Sequence, residues 1–240
     1  MNLRRVLVLV LLGAWIGLPC RAAAQTSGRN ASGKSSEAVA PPAGASSADQ
    51  ALPAITYRKI FKGSTPEYVE IKVDERGAAT YDIRQLDDRP NPQPFEVSAA
   101  LTAKIFSLAA ALHDFSGVQL NVRRLIANLG EKTFRYEGGG RTGEVSFNYT
   151  VNPKANQLMG IFEGLSLEDQ YIDQLRRSMR YDPLGVNDVL MRLESDLESN
   201  AIAEPQVLVP VLKKIASSPQ LLDIARDRAR QILVALGQAR

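Results

Sequence analysis

His113 and Asp114 stand side by side, and a histidine next to a carboxylate is half of a general-base arrangement. The other half is a nucleophile that the imidazole can deprotonate in convergent geometry. No G-x-S-x-G elbow occurs, and the single cysteine, Cys20, lies close to the N-terminus. A lone histidine at the end of an amphipathic helix has a simpler use, answering the helix dipole or solvent. One histidine and one cysteine also fall short of the ligand sets that make zinc sites. A D-x-D-x-D-G calcium loop is missing as well. The sequence therefore assigns no catalytic residue, no cofactor-binding residue and no metal ligand.

Carboxylates are plentiful: Glu67 and Glu70, Asp87 and Asp88, Glu168 and Asp169, then Glu194, Asp196 and Glu198. A glycoside hydrolase needs two of them facing each other across a cleft. Glu70 alternates with apolar neighbours, and Glu194 and Glu198 lie one turn apart on a polar helix side. Both patterns are those of solvated surfaces. The stretch EGGGRTG (137–143) invites an anion-cradle reading, because backbone amides of glycine-rich loops bind phosphates. A P-loop also needs a terminal Lys-Ser/Thr and a helix behind it. Here the glycines separate two alternating runs, which is the place of a hairpin turn. Tyr57, Tyr68, Tyr81, Tyr136, Tyr149, Tyr171 and Tyr181 are candidates for a sugar or peptide site. Most of those on strands share parity with apolar neighbours and are expected at a sheet–helix interface. Arg176, Arg177 and Arg180 cluster near a helix end, as do Arg226, Arg228 and Arg230 with Arg240. They are expected to complement helix dipoles rather than to hold an anionic partner.

The elements that must carry these residues are legible in the patterning. ITYRKIF (55–61) reads as a strand. Val69, Ile71 and Val73 alternate with Glu70 and Lys72, and across the DERG turn Ala79, Tyr81 and Ile83 alternate with Thr80, Asp82 and Arg84. Two period-two arms joined at Gly77 predict a hairpin with one dry and one wet face. KTFRYE and EVSFNYTV predict a second hairpin, with Phe134 and Tyr136 facing Val145, Phe147, Tyr149 and Val151. Between them, after a Pro-rich crossing (DDRPNPQP), Ser98 caps a helix predicted to run to about His113. GVQLNVRRLIANLG (117–130) fits a strand at one end and a helix at the other. From Pro153 onward the spacing is helical, with a helix start at Ser166, a break at Asp182-Pro183 and openings at Pro205 and Pro219. The expected fold is α+β: an antiparallel sheet of about five strands, in two hairpin units, packed on an amphipathic helix and followed by an all-helical C-terminal extension. Residues 53–152 are expected to form the α+β domain and 153–240 the helical extension, either as a separate unit or packed on the same core.

Residues 1–24 read as a secretory signal peptide. They hold basic Arg4 and Arg5, an apolar run from Val6 to Leu18, and an Ala22-x-Ala24 site that starts the mature chain at Gln25. The run is too short for a hydrocarbon core of roughly 30 Å, so no membrane span is expected after cleavage. Pro19 occupies the position before Cys20 where a lipoprotein signal needs a small residue. Residues 25–52 are rich in Ser, Ala, Gly and Pro and read as a disordered linker. Asn30-Ala-Ser and Asn148-Tyr-Thr fit glycosylation sequons. The chain has 29 Lys+Arg and 26 Asp+Glu; without Arg4, Arg5 and Arg21 the two counts are equal. Net basicity therefore gives no argument for nucleic acid.

The run GSTPEYVEIKV with RGAATY after it, and the hairpin EKTFRYEGGGRTGEVSFNY, resemble an uncharacterised family of secreted bacterial α+β proteins that share a GxxPxY hairpin and a KTFRY/EVSFNY hairpin. The similarity covers about residues 55 to 165. It implies secretion and an α+β fold, and carries no activity. LVPVLKKIASSPQLLDIARDRARQIL is similar to one HEAT-type helical pair, where a solenoid needs about three repeats. The sequence-based expectation is an exported protein, periplasmic or secreted. It would act as a non-catalytic binding or envelope-associated interaction module, with an envelope or extracellular protein or glycan as partner. An envelope-polymer hydrolase using paired carboxylates is the alternative. A proteinaceous inhibitor or chaperone-like partner, pairing through exposed hairpin edges, is a further one.

Overall fold

The computed structural model describes residues 52–238. The expected signal peptide and linker up to Ala51, the Asn30 sequon, Cys20 and Arg240 lie outside the described residues. The fold is α+β, with an antiparallel sheet of six strands rather than five. These are β1 (Ala54–Ile60), β2 (Tyr68–Asp74), β3 (Ala78–Arg84), β4 (Gln93–Glu96), β5 (Glu131–Gly138) and β6 (Arg141–Phe147), in the order β4-β3-β2-β1-β5-β6. The extra strand is β4, drawn from the end of the Pro-rich crossing. It pairs with Ala78–Tyr81 and sets Pro94 opposite Thr80. On an edge strand a residue without an N–H can face outward at no cost, so prolines did not prevent pairing there.

β1 pairs along its whole length with both β2 and β5, so Tyr57 lies between Ile71 and Phe134. The inner face gathers Ile55, Tyr57, Ile71 and Phe134, all fully buried. The outer face carries Arg58, Glu70, Lys72, Arg135 and Glu137, with Lys72 and Arg135 both paired to Glu137. Gly77 turns the first hairpin at φ +86°, and a Cβ there would stand 2.4 Å from the Val97 carbonyl oxygen. Gly139 and Gly140, at φ +56° and +73°, form the two-residue turn of the second. Tyr149 and Val151, expected to continue β6, lie beyond its end and are exposed.

Ser98 caps α1 (Ala99–Ala110), accepting a hydrogen bond from the Leu101 amide. The helix stops short of His113. Residues His113–Phe115 instead form a 3-10 turn with positive φ at all three positions. That turn drives Phe115 into the core, where its ring stacks 5.3 Å from Phe134. Residues 117–130 adopt no regular strand or helix and bury Leu120.

Asn152 caps α2 (Pro153–Tyr181), accepting from the Lys154 and Ala155 amides. A new helix does not start at Ser166. Ser166 is buried inside one 29-residue helix, its Oγ accepting from Gln170 Nε2 at 2.9 Å. The first half of α2 packs Ala155, Leu158 and Phe162 onto the sheet. Its second half packs Tyr171 and Leu175 among α3 (Val186–Glu198), α4 (Val209–Ala216) and α5 (Asp223–Ala235). The break at Asp182-Pro183 is present, Pro205 opens a 3-10 turn leading into α4, and α5 begins at Asp223 rather than at Pro219. Among the described residues no helix is long and apolar enough to cross a membrane.

Candidate functional site

One side of α2 is polar on a helical period: Glu163, Ser166, Gln170, Asp173, Gln174 and Arg177. That stripe borders a groove between α2 and the loops at one end of β1, β2 and β3. Its narrow part encloses about 300 Å³. On β1, Lys59 shares the inner face with Tyr57 and reaches Glu163 of α2, Nζ to Oε1 2.9 Å. The Tyr57 hydroxyl donates to the same carboxylate at 3.4 Å. Burial, with the Glu163 charge beside it, pushes that phenol far above its ordinary range. The opposite wall is the β1–β2 loop, where Ser64 Oγ meets the Phe61 and Pro66 carbonyls.

Glu67 fixes this wall to its neighbour. Its carboxylate accepts from the Gly63 amide at 2.6 Å and the Leu86 amide at 3.3 Å, so it joins two loops. Those two backbone donors hold its pKa below the usual carboxylate range.

Thr65 and Gln170 border both this pocket and a wider space of about 720 Å³ between α2 and the β3–β4 loop. Here the Tyr81 hydroxyl faces the Asp169 carboxylate. Burial raises the Asp169 pKa and the neighbouring Asp173 charge adds to it, against the Tyr81 hydroxyl and Arg176. Arg84 binds Asp82 at 2.9 Å, lies 4.2 Å over the Tyr68 ring and donates to the Asp88 carbonyl at 3.0 Å. It thereby ties down the loop that carries Arg89, Asn91 and Gln93 into the groove. The result is a trench with carboxylates, amides and guanidinium groups on its walls and the Tyr57–Lys59–Glu163 cluster at its narrow end. Asp169 and Asp173 are one turn apart on the same helix, beside each other along one wall.

Of the acids singled out in the sequence, Asp88 and Asp169 line this groove. Glu70 accepts from the Tyr68 hydroxyl at 2.8 Å on the outer sheet face. Glu194 pairs with Arg228, and Asp196 accepts from the Tyr171 hydroxyl at 2.6 Å. Glu168 is buried and accepts from the Glu204 amide; burial pushes its pKa up to about 7. His113 is exposed, and Asp114 pairs with Arg141 at 3.4 Å rather than with a nucleophile. Asn148 of the second sequon uses both amide atoms, accepting from the Leu129 amide and donating to the Ala127 carbonyl. Arg226 and Arg230 pair with Asp223 and Asp227 one turn away, while Arg177 lines the groove. Among the described residues no cluster of three or more His, Cys, Asp or Glu side chains is placed to hold a metal ion.

No family model and no curated protein matches the chain. Among solved structures it is similar, at 14% identity, to an SsgA-like sporulation-specific cell division protein from Thermobifida fusca. That similarity covers 45% of this chain and 77% of the other, with a TM-score of 0.15. A likeness at that TM-score carries no argument about fold or function.

Proposed function

We propose that this protein is an exported, non-catalytic binding module that takes a strand of envelope glycan along the α2 groove. The observation that carries the reading is the polar stripe of α2 bordering a wide trench that narrows past Gln170. Carboxylates, primary amides and guanidinium groups each present paired donors or acceptors, which suit the adjacent hydroxyls of a sugar ring. Tyr81, tilted against Phe95 with ring centroids 5.6 Å apart, adds a flat apolar surface at the trench. The resemblance to the secreted bacterial α+β family, carried by the two hairpins, supports export alone.

The test is amide chemical-shift mapping with soluble fragments of envelope glycan. Perturbations should follow α2 from Gln170 to Arg177 and the loop from Asp88 to Gln93. Gln174 and Arg177 are exposed, so the double substitution Gln174→Ala/Arg177→Ala should leave the thermal midpoint unchanged. Binding should weaken about tenfold with the loss of two hydrogen-bonding side chains. Shifts confined to the outer sheet face, or appearing with peptides but not glycans, would reject the reading.

A second reading, hydrolysis of the same polymer, draws on Asp169, a carboxyl raised by burial beside the charged Asp173. A general acid needs such a shift. Under it, Asp169→Asn abolishes release of reducing ends while binding persists. A native protein that releases none ends it.

A further inference from the structure

The segment 117–130, GVQLNVRRLIANLG, contains two arginines and no acidic residue. Its tip, Arg123-Arg124-Leu125-Ile126, lies far from satisfying the usual rule for aliphatic side chains: Leu125 is wholly exposed, Ile126 is exposed, and so is Leu129 behind them. Tyr149 and Val151, exposed on the adjoining strand exit, extend the apolar character of this end of the molecule.

The tip is held out rather than left loose. On one side of it the Val122 amide donates to the Tyr149 carbonyl at 3.1 Å. On the other, Asn148 takes the Leu129 amide at 2.7 Å and gives its own N–H to the Ala127 carbonyl at 2.9 Å. Beneath both, the buried Lys132 ammonium donates to the Leu129, Gly130 and Asn148 carbonyls, all within 3.1 Å. Residues 122–129 are therefore pinned at both ends to 148–149, and four residues project. A loop already ordered loses little further freedom when it engages a surface.

We propose that this tip docks on an anionic lipid surface, with Leu125 and Ile126 entering the headgroup–acyl boundary and Arg123 and Arg124 binding lipid phosphates. An acid-free basic loop with an aliphatic point has the composition of an interfacial anchor. Guanidinium groups match phosphate oxygens two at a time. A protein partner needs about 800 Å² from each side, more than a four-residue projection offers, whereas a bilayer needs only depth. The inference is independent of the α2 groove, which lies against other loops.

The test uses the full chain with Leu125→Trp in a Trp15→Phe background, so that the only indole reports from the tip. Vesicles of phosphatidylcholine, with or without phosphatidylglycerol, carry brominated acyl chains that quench an inserted indole. The expected result is a blue-shifted, quenched indole with phosphatidylglycerol present and an almost unquenched one without it. Adding Arg123→Glu and Arg124→Glu should cut the apparent affinity read by that quenching more than about tenfold, since each cation near an anionic surface contributes about fivefold. High salt should weaken it in the same direction. Because the reporter is local, insertion by any other part of the chain does not imitate the signal. Equal quenching in both lipids, indifference to the two charge reversals, or no quenching at all would overturn the proposal. The last outcome would leave the tip to a protein partner.

Discussion

Glu168 is a carboxylate in the wrong solvent, buried on α2 and supported by the backbone amide of Glu204. Its pKa rises from 4.5 to about 7 chiefly because burial penalises the charged form. Between those values the folded chain holds a proton that the unfolded chain has lost. Stability must then fall as pH rises from 4.5 to 7 and level off on either side. Asp169, also raised by burial, acts in the same direction. Glu67 and Glu137, held below the ordinary carboxylate range, have their effect at lower pH. Glu168→Gln keeps an acceptor for the Glu204 amide and removes the charge. Urea unfolding at pH 5 and pH 8 should show the native protein losing on the order of 3 kcal/mol between them, and the variant much less. Equal slopes for the two proteins would mean that Glu168 is not the group responsible. None of this was legible in the residue itself. In sequence, Glu168 and Asp169 are two polar neighbours; burial by the 201–204 segment, 36 positions away from Glu168 at Glu204, separates their roles.

At the scale of elements the periodic patterns held where the chain supplies its own partner and failed where a distant segment decides. Both hairpins and the Ser98 cap follow from local alternation and local capping. The helix start expected at Ser166 does not occur, although serine favours caps. There α2 passes so close to the 201–203 segment that a Cβ on Gly164 would lie 2.9 Å from the Ala201 carbonyl oxygen. Tertiary packing keeps the helix running through a residue that by itself would open a new one. The groove was half legible for the same reason: the stripe from Glu163 to Arg177 is a helical spacing, but it becomes one surface only if the helix is unbroken. The 3-10 turn after α1 was not legible, because positive φ at His113, Asp114 and Phe115 has no composition signal. Its contact with β6 gives a sharp expectation. A Cβ at Gly143 would stand 2.0 Å from the Asp114 carbonyl oxygen, whereas one at Gly139 would meet nothing within 4 Å. Gly143→Ala should therefore cost about 2–4 kcal/mol by forcing the Phe115 turn off the strand. Gly139→Ala, at φ +56°, should cost only the left-handed penalty of about 1–2 kcal/mol. Urea midpoints of the two variants check the ranking; the reverse order would deny that the turn bears directly on β6.

Over the whole molecule the question is whether the sheet and the tail stand or fall together. Two buried clusters exist, one of sheet, α1 and the first half of α2, the other of the second half of α2 with α3, α4 and α5. A helix of 29 residues is about 44 Å long, and in water most of its stability comes from what it packs against. Melting the tail would strip the second half of α2, and fraying would run toward Phe162, which stacks 5.3 Å from Tyr57 at the centre of the sheet. A second tie runs outside the helix. The Glu168 carboxylate holds the Glu204 amide, and the Glu204 carboxylate accepts from the Ser98 amide at the start of α1, 3.2 Å to each oxygen. The two clusters are thus joined through a continuous backbone and through a polar relay to the α1 cap. The groove depends on that union, since its α2 wall runs from Glu163 in one half to Arg177 in the other. Leu190 is fully buried on α3, far from the sheet in sequence. Leu190→Ala should cost about 2–5 kcal/mol, as large-to-small changes in a packed interior do. Native-state hydrogen exchange should show that loss equally at β1 amides around Tyr57 and at α5 amides around Ala229. Protection lost in α5 but kept in β1 would mean that the tail opens alone, and that the groove is a wall the molecule can lower without unfolding.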